Sequence, residues 1–174
     1  MKILIVDDHE IVTYGVKKYI LEHHPEYNVT TTVNPAFLDE IFLDIPDLVI
    51  LDVEYPESNV FDIIARLRKE WTACAIIIYT IHEEAGLLRR LFDAGVDNIV
   101  LKSASVSTLL SSIESIARGE QPELNSKIAS IIKHTPDTPR LTAAEQTVLN
   151  LIRQGLSSCE MASQLNVSEN TIES

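Results

Sequence analysis

KILIVDDHE, residues 2–10, contains an uninterrupted apolar run, Ile3 to Val6, that stops on a pair of carboxylates, Asp7 and Asp8. A strand wet on one face alternates apolar and polar residues, whereas a continuous run suits a parallel strand covered on both faces. The same form returns at Leu48 to Leu51, Ala75 to Tyr79 and Ile99 to Leu101, with a more polar β-branched run from Val29 to Val33. Between the runs lie helically spaced apolar sets: Val12, Val16, Tyr19 and Ile20; Val60, Ile64, Leu67 and Trp71; Val106, Leu109, Leu110, Ile113 and Ala117. Weaker stretches, Ala36 to Leu43 and Ala85 to Phe92, complete five strand-then-helix units over residues 2–118. Such alternation predicts an α/β fold with a doubly wound, five-stranded parallel sheet.

In an open parallel sheet the ligand site lies beyond the carboxyl ends of the strands. Here the first run stops at Asp7 and Asp8, the third at Asp52, the fourth at Thr80 and the fifth at Lys102. Each alone reads as a turn former, a cap or a solvated side chain. Together they deliver three carboxylates, a hydroxyl and an ammonium to one edge. Carboxylates gathered so closely repel one another and call for a cation, and a hard divalent ion such as Mg²⁺ suits oxygen ligands. One carboxylate oxygen can then attack phosphorus to give an aspartyl phosphate, with Lys102 and Thr80 meeting the phosphoryl oxygens.

Asp7-Asp8, Asp52, Thr80 and Lys102, with Pro56 shortly after Asp52, resemble the receiver-domain signature of two-component response regulators. The resemblance covers residues 2 to about 118 and implies a flavodoxin-like receiver domain over 1–119. It implies that Asp52 is the phosphoacceptor, that Asp8 and Asp52 ligate Mg²⁺ directly, that Asp7 acts through water, and that the backbone carbonyl of Glu54 is a further ligand. A sensor histidine kinase is then the phosphodonor, and the only chemistry is phosphoryl transfer to Asp52 and its hydrolysis, so the chain is not an enzyme in the ordinary sense. Some positions depart from the pattern. Ile99 stands where relatives commonly carry an aromatic, so it cannot perform a Tyr or Phe rotamer swing. Ile81 replaces a small residue and is expected to narrow access, and Val60 replaces a common Gly. Glu54 and His82 occupy positions that tune phosphoryl lifetime in the family, although by itself His82 reads as a solvated loop histidine. The helices carrying Leu87, Leu88, Leu91 and Leu109 are the face through which relatives pair, which implies a homodimer through the receiver.

Beyond Gly119 the character changes. Residues 120–139 read as a linker with a helical turn or more around Ile128, Ile131 and Ile132, closed by Pro136 and Pro139. From Leu141 the helical period returns, with Thr142 and Glu145 read as a capping box, Val148, Leu149 and Ile152 as the apolar face, and Gly155 as the stop. A second helix is expected over Ser158 to Leu165, and Ser168 is expected to cap a third. The spacing of Leu141, Thr142, Glu145, Leu149, Ile152, Gly155, Met161, Ala162, Leu165, Val167, Ser168 and Thr171 resembles a LuxR-type helix-turn-helix over 140–174. Joined to a receiver, it is similar to the NarL/FixJ transcription regulators, which implies DNA as partner, with Asn170, Thr171 and Glu173 on the reading helix. The chain stops at Ser174, about one turn into that helix, so this small all-α output domain is expected to be incomplete. Val148, Ile152, Met161 and Leu165 are then expected to lack some of their packing partners.

Composition bounds these readings. The 174 residues carry 14 basic and 26 acidic side chains, a formal charge of −12, the reverse of a general phosphate-backbone binder. Only Cys74 and Cys159 occur, which suits a reducing cytoplasm and indicates neither a disulfide framework nor a thiolate metal site. The apolar start is too short for a signal peptide, and no run approaches membrane-spanning length. Asp7-Asp8-His9 occupies the first strand-to-helix turn, where a dinucleotide fold needs a glycine loop. His23 and His24, beside Pro25, read as a capped, solvated pair. Two further readings stay open: a protein-interaction module without DNA output, and a phosphatase using an aspartyl nucleophile with Glu54 as general acid.

Residues 120–174 hold four basic side chains, Lys127, Lys133, Arg140 and Arg153, against seven acidic ones. Residues 1–174 are therefore expected to bind DNA weakly or not at all at physiological salt. A sequence-specific shift in an electrophoretic mobility assay under those conditions contradicts this.

Overall fold

Five strands form the sheet: β1 (Lys2–Val6), β2 (Asn28–Thr32), β3 (Leu48–Leu51), β4 (Ala75–Thr80) and β5 (Asn98–Leu101). Their order is β2-β1-β3-β4-β5, and every neighbouring pair is parallel. The computed structural model describes residues 1–33, 45–54, 59–135, 143–153, 155–168 and 171. The helix expected over Ala36 to Leu43, Pro56, and the Thr142 end of the expected capping box lie outside the described residues. Strand order reverses at β1, which pairs with β2 on one side and β3 on the other, and this opens the crevice between the ends of β1 and β3. The register pairs Val6 with Leu51, and the Asp52 amide bonds the Val6 carbonyl at 2.9 Å, so the residues that follow the two strands emerge side by side.

The continuous apolar runs are explained by two covered faces. Leu4, Val6, Val49, Leu51, Ile76, Ile78, Ile99 and Leu101 alternate onto one face. There they meet α2 (Val60–Glu70), α3 (Ala85–Asp93) and α5 (Ser126–His134). Ile3, Ile5, Leu48, Ile50, Ile77, Tyr79 and Val100 face the other way, toward α1 (Glu10–His23) and α4 (Val106–Ala117). Period-two alternation within each strand thus fills both layers. Removing each such side chain from water contributes about 1.5–3 kcal/mol. Three of the helices packed on the sheet start on a side-chain cap: Asn59 accepts from the Phe61 amide, Ser105 from Ser107 and Asn125 from Lys127. Asn98, a polar residue on a buried strand, is satisfied: its amide donates to Ser112 Oγ at 2.9 Å and its oxygen accepts from the Ile99 amide at 2.8 Å. Arg68 ties α2 to the turn before β5, donating to the Gly95 and Cys74 carbonyls and to Asp97. Burial pushes the Cys74 thiol up to about 12, which makes it an unreactive core residue.

The chain divides into two compact units, Met1–Asp137 and Thr138–Ser174. In the first, the stretch read as a linker carries the nine-residue helix α5, and Ile128 is fully buried in the same cluster as β5 and α3. The second unit contains α6 (Ala143–Arg153) and α7 (Ser158–Leu165). Here the capping box belongs to Ser157 and Glu160 at the start of α7, a pairing absent from the sequence-based expectation. Asn166 at φ 54° ends α7 in the left-handed region that its short polar side chain tolerates. Ile152 is 52% exposed, whereas Met161 is buried. Among the described residues, no helix is long and apolar enough to cross a membrane.

The expectation for His24 is corrected. Its Nε2 lies 3.0 Å from Glu114 on α4, its Nδ1 lies 3.1 Å from Glu26, and its ring stacks on Tyr27. The hydrogen bonds to Glu114 and then Glu26 raise the His24 pKa, against a smaller opposing effect of burial. A raised pKa in the folded state stabilises fully below the ordinary value of about 6.5 and is lost as pH rises through the folded value. His24→Gln is therefore expected to lower the apparent Tm by roughly 1–2 °C near pH 6 and to leave it unchanged well above neutrality, measured by thermal melts across pH.

Candidate functional site

The strand ends converge as the alternation of elements requires. Asp7 follows β1, Asp52 follows β3, Thr80 closes β4 and Lys102 follows β5. Asp7 is 2% exposed, Asp52 3% and Thr80 fully buried, an arrangement that isolated carboxylates cannot sustain. Lys102 resolves it: its Nζ donates to Asp52 Oδ2 at 2.7 Å and lies 2.7 Å from Asp7 Oδ2. The other oxygen of each carboxylate accepts a backbone amide, Asp7 Oδ1 from His9 at 2.9 Å and Asp52 Oδ1 from Val53 at 2.7 Å. Burial pulls the Lys102 pKa down, but its hydrogen bonds to Asp52 and Asp7, with their charges, outweigh this and leave it raised. The ammonium also stands 5.8 Å from the centre of the Tyr79 ring, a cation–π contact absent from the sequence-based expectation.

One lysine cannot balance three carboxylates. Asp8 Oδ1 is buried without a hydrogen-bond partner; the His9 Nδ1 at 2.7 Å is close in charge terms but outside hydrogen-bond geometry. Asp7, Asp8, His9 and Asp52 can each offer one ligand atom within 4.8 Å of the others. An orphaned carboxylate oxygen in a mainly oxygen-donor cluster fits a hard divalent cation. The cation must share the site with Lys102, which already spans Asp7 and Asp52.

Around this centre the structure corrects several expectations. His82 is not a solvated loop histidine. Its Nε2 lies 2.8 Å from Glu54 Oε1 and its Nδ1 3.2 Å from Glu84 Oε2, joining the loops that follow β3 and β4. Burial acts to lower its pKa, and the hydrogen bonds to Glu54 and Glu84 more than offset that, so it is raised. Glu54, expected to give its backbone carbonyl to the metal, spends its side chain on this bridge. The Thr80 hydroxyl accepts from the His82 amide at 3.2 Å. Ile81 is 61% exposed, so its bulk turns to solvent instead of narrowing the site. Val60 is buried at the start of α2. Ile99 is 1% exposed, inside the cluster that also holds Ile128. Of the expected DNA-facing residues, Asn170 and Glu173 lie outside the described residues. Thr171 is described, its Oγ1 2.8 Å from Ser168 Oγ and its amide on the Ser168 carbonyl. His9 escaped the sequence reading because a histidine after two aspartates carries no signal until the turn is folded. The aromatic face of Tyr79 was hidden in an apolar run.

The chain matches the response regulator receiver domain over residues 3–114 and the luxR family of bacterial regulatory proteins over residues 139–174. It is 32% identical to the nitrate/nitrite response regulator protein homolog of Haemophilus influenzae, over 99% of this chain and 85% of that one. It is 31% identical to the transcriptional regulatory protein YdfI of Bacillus subtilis, over 99% of this chain and 84% of that one. In fold it is similar to RcsB of Salmonella enterica serovar Typhimurium, solved bound to a promoter in the presence of phosphomimetic BeF3−. That likeness has a TM-score of 0.73 at 24% identity and covers 99% of this chain and 86% of RcsB.

The Lys102 geometry generates a stability prediction. Lys102→Met leaves Asp7 and Asp52 buried face to face without a cation, and this is expected to cost about 3 kcal/mol in denaturant unfolding at neutral pH. Added Mg²⁺ is expected to recover part of that loss. Wild-type stability in the variant without divalent ions excludes the role given to Lys102.

Proposed function

The chain belongs to the two-component response regulators, a receiver followed by a LuxR-type regulatory segment, and on that premise we propose that Asp52 is the residue that accepts the phosphoryl group. It is a transcription-regulating response regulator; the proposal concerns how its residues perform that task. The observation that carries it is Lys102 held between the buried Asp7 and Asp52 at the carboxyl edge of the sheet.

In the proposed step an Asp52 oxygen attacks phosphorus of a phosphohistidine on a sensor kinase, the P–N bond breaks, and an acyl phosphate forms. Lys102 is already hydrogen-bonded to Asp52 and follows the negative charge from the carboxylate to the phosphoryl oxygens. The Thr80 hydroxyl, at the end of the neighbouring strand, turns from the His82 amide toward the same oxygens. Asp7, Asp8, Asp52 and the Glu54 carbonyl would hold Mg²⁺, whose charge, when it is bound, offsets that of the incoming phosphoryl group. Residues 1–119 act as the receiver, 120–139 as a linker whose helix α5 is docked on the receiver core, and 140–174 as the DNA-directed output. The working compartment is the cytoplasm, and paired receivers bring two output segments to one DNA site.

The catalysis proposed is limited to phosphoryl transfer onto Asp52 and its later hydrolysis. A phosphatase acting on external esters is disfavoured by the side chain of Glu54, which is committed to His82 at 2.8 Å and so is not free to protonate a leaving group. An interaction module without DNA output is disfavoured by the match of residues 139–174 to the luxR family.

Incubation with a small-molecule phosphodonor and Mg²⁺ is expected to add one phosphate to the wild type by intact mass, and none to Asp52→Ala. Equal gain in both proteins, or none in the wild type with its cognate kinase, overturns the assignment.

A further inference from the structure

The helix α5 lies outside the five strand-then-helix units, yet it belongs to the apolar core. Ile128 is fully buried and Ile132 nearly so, packed with Leu88 and Leu91 of α3 and with Ile99 and Leu101 of β5. Two polar contacts hold it in place, and a side chain caps its own first turn. Lys127 pairs with Glu83, Arg89 Nη1 donates to the Ile132 carbonyl at 3.2 Å, and Asn125 caps its start.

Glu83 is where the reactive edge and this helix meet. It follows Thr80 by three residues, in the turn whose His82 amide is held by the Thr80 hydroxyl. Its other oxygen receives Ser103 Oγ at 3.3 Å, and Ser103 directly follows Lys102. Both side chains expected to move onto a phosphoryl group are thus one short step from the anchor of Lys127. The seat is also imperfectly filled. A cavity of about 20 Å³ is lined by Ile99, Leu101, Ala104, Thr108, Asn125 and Ile128. Ile99 is buried against this region and has no ring to swing, so a signal at this face must be carried by whatever covers it.

We infer that α5 is a releasable cover on the face formed by α3 and β5, held through Glu83 and Lys127 in the unmodified protein and freed when Thr80 and Lys102 turn to a phosphoryl group on Asp52. The inference rests on Asp52 as phosphoacceptor. Movement of Thr80 withdraws the hydroxyl that braces the 81–84 turn, and movement of Lys102 draws Ser103 from Glu83. The Glu83–Lys127 pair then loses its fixed geometry, and α5 carries the change into residues that lead to the output segment.

Hydrogen–deuterium exchange on the full chain, alone and with Mg²⁺ and BeF3−, tests this. Amides of α5 are expected to exchange about tenfold faster with BeF3−, while those of β1 and β3 do not change. Lys127→Glu is expected to speed α5 exchange about threefold without BeF3−, and adding Glu83→Lys to restore it. Unchanged α5 exchange in a chain whose Thr80 and Lys102 loops respond to BeF3− overturns the inference and leaves the phosphoacceptor assignment standing. Equal α5 exchange in wild type and Lys127→Glu also overturns it. No response in those loops, together with no phosphate gained by mass, removes the assignment and the inference with it.

Discussion

The ammonium of Lys102, 2.7 Å from both Asp7 and Asp52, is the contact on which the reactive edge depends. Two carboxylates less than 4% exposed repel each other, and each loses hydration on burial. A single cation reaching across from the end of β5 offsets both costs. It leaves the third carboxylate, Asp8, with an orphaned oxygen available to a metal. The same ammonium is the group that must shift when charge arrives on Asp52. A contact that stabilises the resting state is thereby also the element that registers a change of charge.

The charges that serve this site are gathered at one rim of the sheet. Beneath the rim the central strands are apolar on both faces apart from Asn98, which is satisfied by Ser112 and the Ile99 amide, and their residues are locked by close packing. Above it, the loops after β3, β4 and β5 are joined by Glu54–His82 and Glu83–Ser103, contacts of modest individual strength. Rigid strands present the charges at fixed separation, while the loops that read them out are tied by bonds that exchange easily. The α5 helix extends the arrangement, because Glu83 bonds both Ser103 and Lys127.

Much of the fold was legible because parallel strands buried on both faces leave an unmistakable mark. Ile3 to Val6, Leu48 to Leu51 and Ala75 to Tyr79 could hardly be anything else, and their polar stops marked Asp7, Asp8, Asp52, Thr80 and Lys102. The α5 region was harder to read. Ile128 and Ile132 have helical spacing, but a nine-residue amphipathic stretch among prolines looks alike whether it is a spacer or is docked. His24 and His82 are hard to read for a related reason: beside the local carboxylates Glu26 and Glu84, each has a second partner, Glu114 and Glu54, that lies 90 and 28 residues away in sequence. The capping box at Ser157 and Glu160 carries a purely local signature, a serine followed three residues later by a glutamate, the same one that Thr142 and Glu145 carry.

The amino-acid order by itself determined the strand-helix alternation, the polar residues that end each strand and the likeness to a receiver with a LuxR-type segment. All of these are local patterns, with periods of two or about 3.6 residues, or short motifs. Only the tertiary structure decided which groups share protons and charge. It set Lys102 between Asp7 and Asp52, left Asp8 Oδ1 without a donor, bridged Glu54 to His82 and seated Ile128 over the α3–β5 face. Such pairings depend on the strand order β2-β1-β3-β4-β5, which brings together side chains as far apart in sequence as Asp7 and Lys102, and local spacing carries no record of them.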